Sequence, residues 1–168
     1  MGKGADGPGP ASAAKAGAGR LARGMLGWAL GVFLLDQATK FWVIHTLALP
    51  SVGRIEVAPP YLTFVMAWNR GVNFGIGSAA DLRWVLVGVA VAISVALFAW
   101  VVARRKAAIV LGAGLVIGGA LGNAVDRVLY GAVADFLNMS CCGIHNPYAF
   151  NVADIAIFAG AVWIAIRA

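Results

Sequence analysis

The stretch WVLVGVAVAISVALFAWVVA, residues 84–103, holds no charged side chain and is closed at both ends by arginine, Arg83 and Arg104. Its 20 residues, at a rise of about 1.5 Å each, make a helix about 30 Å long, the thickness of a bilayer's hydrocarbon core. A second uncharged run of 19 residues, AAIVLGAGLVIGGALGNAV, lies between Lys106 and Asp126. The two read as successive transmembrane spans, about 84–102 and 107–130, joined through Arg104-Arg105-Lys106. The later one carries Gly112, Gly114, Gly118, Gly119 and Gly122. Small residues let helices approach closely in lipid, so this span is expected at the centre of a bundle.

Working towards the N-terminus, residues 48–82 contain Pro50, Pro59, Pro60, Gly53, Gly71, Gly75 and Gly77. Within them Gly53–Val57 and Tyr61–Trp68 read as short strands on either side of the Pro-Pro turn. Before them, Met25 to Leu47 forms a first span that is too long for the apolar region of a cleaved signal peptide. Residues 1–24 are rich in Gly, Ala and Pro and are expected to be a disordered cytoplasmic leader. Working towards the C-terminus, Gly131–Phe150 reads as a second outer loop and 151–166 as a short last span. The expected fold is therefore an all-α membrane protein: four transmembrane helices in residues 25–168, with a small β-rich outer (periplasmic) segment between helices 1 and 2.

Composition supports this class. Of 168 residues, 61% are hydrophobic and 12% charged, roughly half the charged share of an ordinary soluble domain. So few charges cannot cover a water-soluble surface, and so apolar a chain does not stay disordered. The net charge is +6, but its placement argues against nucleic acid as a partner. Lys3, Lys15, Arg20, Arg23, Arg104, Arg105, Lys106 and Arg167 fall where a four-span bundle with both termini in the cytoplasm has its inner segments.

Seven acids occur in the chain, and Asp36, Asp126, Asp135 and Asp154 lie within or at the ends of apolar spans. An ionisable residue at membrane depth is a functional candidate by default. Asp36 and Lys40 share a helical face and read as an ion pair giving structural support. Asn123, Asp126 and Arg127 share a face of the third span, with Arg127 placed to pair with Asp126 or to reach another acid. Asp135 and Asp154 have no cation within four residues, and Asn151 precedes Asp154 on the same helical face. If the last two spans pack antiparallel, these two carboxyls meet near the outer surface. Carboxyls sharing a site do not both ionise, which leaves one base for a water and one acid for a carbonyl oxygen. The same spacing is compatible with a buried polar network or with a proton or solute pathway, although no internal repeat of the kind transporters carry is visible.

Cys141 and Cys142 are adjacent in the outer loop with His145 nearby. Neighbouring cysteines are poorly disposed to bridge, and CC-x-x-H supplies too few ligands for a metal. No serine-nucleophile elbow, zinc-protease motif or phosphate-binding loop is present.

Four motifs in order resemble those of bacterial lipoprotein signal peptidase, also called signal peptidase II. Asp36-Gln37-Ala38-Thr39-Lys40 resembles its D-Q-x-S/T-K, and Asn69-Arg70-Gly71-Val72-Asn73-Phe74-Gly75 its outer-loop segment N-x-G-x-A-F. Gly122–Arg127 with Gly131–Phe136 resembles G-N-x-x-D-R-x-x-x-G-x-V-x-D-F, and Phe150–Asp154 resembles F-N-x-A-D. The resemblance covers about residues 25–168. It implies an aspartyl endopeptidase of the bacterial inner membrane, with Asp135 and Asp154 as its catalytic pair. Asn123, Arg127 and Asn151 would support the pair, Asn69 and Gly71 would border the substrate cleft, and Asp36, Lys40 and Asp126 would be supporting positions. The implied substrate is a diacylglyceryl-modified prolipoprotein, cut just before the lipidated cysteine at the outer face. The implied inhibitor is a globomycin-type cyclic peptide, and a monomer needing neither metal nor organic cofactor is expected. Asn73 departs from the family's small residue, and Cys141-Cys142 lies in a stretch that varies.

Overall fold

The computed structural model describes residues 10–71, 79–141, 143 and 146–168. Asn73 with its neighbours Val72, Phe74 and Gly75, and Cys142 and His145, lie outside the described residues. The helices are α1 (Pro10–Phe41), α2 (Leu49–Val52), α3 (Ala79–Arg104), α4 (Val110–Tyr130) and α5 (Val152–Arg167). The strands are β1 (Arg54–Ala58), β2 (Leu62–Asn69) and β3 (Val133–Met139).

Helix α1 starts well before Met25, so residues 10–24 are helical where the sequence reading had a disordered leader. Pro10 suits a first helical position, and Ala11, Ala13, Ala14, Ala16, Ala18 and Ala22 have the highest helix propensity of any residue type. At its far end α1 widens into a π-helical turn, Trp42–Thr46, closed by the Leu47 amide on Trp42 O at 2.9 Å. Among the described residues, three helical stretches are long and apolar enough to cross a membrane: Lys15–Thr46, Leu82–Arg104 and Ala107–Tyr130. Helix α5 has 16 residues, about 24 Å of rise. Leu30, Leu34 and Leu35 of α1, Val85, Val89 and Val95 of α3, and Phe158 and Ile166 of α5 are exposed. Such apolar faces need lipid rather than water around them.

Helix α4 lies between α1 and α5, and its glycines set how closely they approach. A Cβ on Gly114 would sit 2.8 Å from the Met25 carbonyl oxygen of α1. One on Gly119 would sit 2.5 Å from the Ala153 carbonyl oxygen of α5. Gly112 and Gly160 face each other, each without room for a side chain. At one end Met25, Ala29, Val101, Ile109, Ala113 and Ile117 form a buried cluster that joins α1, α3 and α4. The basic turn Arg104–Lys106 lies at that end, where the Lys106 ammonium donates to Ala168 O at 3.0 Å.

The opposite end carries an antiparallel sheet of order β1-β2-β3. The hairpin β1–β2 turns at Pro59-Pro60 and falls within a residue or so of the strands read from sequence. The third strand corrects that reading: β3 comes from the segment taken as an outer loop, so the sheet also draws on the connection between α4 and α5. Val133, Ala134, Asp135 and Phe136 are all buried, which erases the in–out alternation by which a half-buried strand is recognised. Val43, Leu49, Phe64 and Phe136 form a second buried cluster that seats the sheet on the end of α1.

Candidate active site

Asp135 and Asp154 arrive by different routes. Gly131, left-handed at φ 75°, ends α4 and turns the chain back into β3. Pairing of β3 with β2 sets Asp135 opposite Ala67. Asn69, two residues further along β2, therefore projects from the same face as a diagonal neighbour. Its Nδ2 donates to Asp135 Oδ2 at 3.0 Å. The Gly71 amide in turn donates to Asn69 Oδ1 at 2.9 Å, which fixes that amide's orientation. Gly71 has φ +88°, and a Cβ there would lie 2.8 Å from Leu86 Cδ1. The turn requires glycine on both counts.

Asp154 occupies the first turn of α5 in a capping box. Its amide donates to Asn151 Oδ1 at 2.9 Å, and the Asn151 amide donates to Asp154 Oδ2 at 3.2 Å. Carboxylates are stabilised at a helix N-terminus by free amides and by the helix dipole. Two asparagines bridge the acids. Asn151 Nδ2 donates to Asp135 Oδ1 at 2.6 Å and to Asn123 Oδ1 at 3.1 Å. Asn123 Nδ2 donates to Asp154 Oδ1 at 2.9 Å. The two carboxyls are thus held in one hydrogen-bonded unit by residues of α4 and α5.

Their surroundings differ. Asp135 is 3% exposed, and burial pushes its carboxyl up to about 6. The Asn69 hydrogen bond opposes that shift, and the neighbouring Asp154 adds to it. Asp154 is only half-buried. A buried carboxyl that keeps its proton up to about 6, beside one open to water, is the arrangement that suits general acid–base chemistry.

Beneath this unit lies a buried ion cluster. Lys40 Nζ is 2.8 Å from Asp36 Oδ2, 2.7 Å from Asp126 Oδ2 and 3.1 Å from Asn123 Oδ1. The pair with Asp36 has the i,i+4 geometry read from sequence, but Asp126 shares the same ammonium. Arg127, placed by the sequence reading to pair with Asp126 or another acid, makes no ion pair among the described residues. Its Nη1 donates to Asn123 O at 3.2 Å. Asp36 Oδ1 accepts from the Ala153 amide at 2.9 Å, so an acid of α1 caps α5. Asp126 Oδ2 also accepts from the Ala134 amide at 3.2 Å, which ties α4 to β3.

Spacing alone assigns no role to Gln37, yet its Nε2 reaches Asp126 Oδ1 at 3.0 Å and Asp36 Oδ2 at 3.2 Å. Its position next to Asp36 was the available signal. The capping box was also legible as N-x-x-D at residues 151–154. Among the described residues no three His, Cys, Asp or Glu side chains are grouped to hold a metal ion.

The family model described as signal peptidase (SPase) II matches residues 28–168. A lipoprotein signal peptidase of Methylobacterium sp. strain 4-46 is 45% identical over 137 residues, 80% of this chain and 82% of that one. One from Pseudomonas putida is 36% identical over 156 residues, 89% of each chain. Among solved structures, a bacterial membrane enzyme determined by the in meso method at 2.3 Å resolution superposes with a TM-score of 0.70 at 30% identity. That match covers 84% of this chain and 85% of the other. With the family model spanning nearly all of the bundle and the sheet, this chain belongs to the signal peptidase II family, the lipoprotein signal peptidases.

Proposed function

We propose that the protein is an aspartyl endopeptidase that removes the signal peptide from diacylglyceryl-modified prolipoproteins, cutting just before the lipidated cysteine. The observation that carries this reading is the single hydrogen-bonded unit of Asp135, Asn151, Asn123 and Asp154 at the sheet end of the bundle. Asp154, open to water and at a helix N-terminus, acts as the base that takes a proton from the attacking water. Asp135, buried and protonated, donates to the carbonyl oxygen of the scissile peptide. The tetrahedral species collapses as Asp154 passes its proton to the leaving amine and a hydroxyl of that species returns one to Asp135, so no covalent enzyme intermediate is formed. Asn69 and Gly71 edge the cleft in which the peptide lies.

The site faces the periplasm, and the chain crosses the bacterial inner membrane four times with both termini in the cytoplasm, α5 being the fourth crossing. Support comes from the segregation of Arg104, Arg105 and Lys106 at the end opposite the sheet, as the positive-inside rule requires. A lipid-anchored substrate then reaches the cleft by diffusion in the bilayer, and a globomycin-type cyclic peptide competes for the same cleft. The protein acts as a monomer.

The test is direct. Purified protein in lipid vesicles is given a diacylglyceryl-modified prolipoprotein and its unlipidated counterpart. Cleavage of the first, with a new N-terminus at the lipidated cysteine and inhibition by globomycin, is the expected result. Equal cleavage of both substrates, or none of either, overturns the proposal.

A pH dependence follows from the raised carboxyl of Asp135. Above about 6 the Asp135 carboxyl loses its proton, and the free enzyme loses its acid. The kcat/KM profile is expected to fall on its alkaline side through that region. Asn69 donates to the ionised form of Asp135 and so favours it. Asn69→Ala removes that donor, Asp135 holds its proton to higher pH, and the alkaline limb moves upward. A limb that stays in place or moves downward contradicts the assignment of the acid to Asp135.

A further inference from the structure

Lys40 lies one shell away from the carboxyls, and its coordination is complete. An ammonium has three donors, and here they meet three acceptors: Asp36 Oδ2, Asp126 Oδ2 and Asn123 Oδ1. Lys40 is 2% exposed, and both aspartates are fully buried. Two carboxylates would suffice to neutralise the ammonium. The third contact has a separate consequence, because Asn123 Oδ1 also accepts from Asn151 Nδ2. With two donors aimed at it, that atom of the amide must be the oxygen. The NH2 is thereby forced to the other side, where it faces Asp154 Oδ1.

Turning the amide over would set its NH2 against the ammonium and its oxygen against the carboxyl of Asp154. Both new contacts are repulsive, and a proton on Asp154 would relieve only the second. Asn151 is fixed independently, because its Oδ1 accepts the Asp154 amide and its NH2 serves Asp135 and Asn123. Asn123 has no such backbone lock on its side chain among the described residues. Among the described residues its polarity is set by Lys40 and Asn151 on the oxygen side and by Asp154 on the other.

We infer that Lys40 is a positioning residue whose ammonium, through the side-chain amide of Asn123, keeps an N–H donor on Asp154 and so keeps that carboxyl available as the base. The inference deepens the aspartyl peptidase reading and rests on it. It gives the ion cluster a role in the proton inventory of the site beyond holding α1 to α4. The charged groups facing the unit are Asp36 and Lys40 from α1, Asp126 and Arg127 from α4, and Asp135 from β3. Asn69 is the polar neighbour from β2.

Lys40→Met alone leaves two buried carboxylates unpaired and is expected to fold poorly. Lys40→Met/Asp126→Asn removes one positive and one negative charge together, so the net charge of the cluster is unchanged. The Lys40 charge also acts directly on Asp135, so the part played by the amide is read from the acidic limb and from Asn123→Ala, which leaves every charge in place. The experiment measures kcat, KM and the pH profile of the full chain on lipid-modified prolipoprotein. The variants are Lys40→Met/Asp126→Asn, Asn123→Ala and all three changes combined, with folding checked by thermal melting.

The double variant and Asn123→Ala are each expected to lower kcat by about 100-fold with KM little changed. The combined variant should lose no more than Asn123→Ala alone, because Lys40 acts through Asn123. In all of them the acidic limb, which reports the base, moves upward, since the base has lost an N–H donor to its charged form. Losses that multiply in the combined variant, or a folded double variant with the wild-type acidic limb, overturn the inference. Asp154→Asn is assayed alongside. If it is inactive while the losses multiply, the Lys40 inference falls and the aspartyl reading stands; if it is active, both fall.

Discussion

Replacing Asp135 or Asp154 with Asn is expected to reduce prolipoprotein processing by at least about 10³-fold, the scale of losing a positioned acid or base. The change removes one ionisable proton site and almost nothing else. Asn at 154 keeps an oxygen to accept from Asn123 Nδ2 or from the Asn151 amide, so the capping of α5 survives in part. Asn at 135 keeps an acceptor for Asn69 or Asn151. Thermal melting of both variants is therefore expected to stay close to that of the parent while turnover is lost. Each variant removes half of a two-part device, so the double variant should be hardly worse than either single one. A folded Asp135→Asn or Asp154→Asn protein with full activity would sink the catalytic assignment.

Gly119→Leu is expected to produce the largest structural effect. A Cβ on Gly119 would meet the Ala153 carbonyl oxygen at 2.5 Å and Ile157 Cγ1 at 2.8 Å. The first contact is with backbone and cannot rotate away. Helix α5 must move off α4, and with it go Asn151 and Asp154, whose hydrogen bonds to Asn123 span the same interface. Overpacking of this kind costs about 1–3 kcal/mol. Misplacing a reacting group by about 1 Å costs about 100-fold in rate. The variant should therefore melt at lower temperature and lose processing by about two orders of magnitude. Gly27→Leu is the matched control: it lies on an exposed face of α1, and a Cβ there meets nothing within 4 Å. Its stability and activity are expected to be those of the parent. If Gly119→Leu behaves like Gly27→Leu, the closeness of α4 and α5 does not set the site.

The parts of the site differ in how far they could be read in one dimension. Asp154 was legible twice, as an acid near the start of an apolar span and as the fourth residue of N-x-x-D. Asp135 was legible as an acid without a nearby cation, but its strand was not. Four consecutive buried residues carry no periodicity to announce β3. Asn69 could be named from its motif, but its partner is 66 residues away. That pairing depends on the register of β2 against β3. Lys40 shows the same limit more sharply. Its bond to Asp36 four residues before it follows from helical geometry, whereas its bond to Asn123 spans 83 residues. Spacing left Arg127 a choice between Asp126 and another acid; Asp126 is held by a lysine from another helix, and Arg127 donates to the Asn123 carbonyl.

The uncharged runs at 84–103 and 107–125, by themselves, determined that the chain belongs in a membrane, and the spacing of the few charges determined where its helices turn. Those properties are sums over neighbouring residues: hydropathy acts on each segment whether or not the others are present. The tertiary structure alone decided that β3 completes the sheet, that one ammonium serves two aspartates and an asparagine, and that two amides bridge the acids. Each of these needs groups from different elements within about 3 Å of one another. That proximity is set by how closely glycine lets α1 and α5 approach α4, and by strand register.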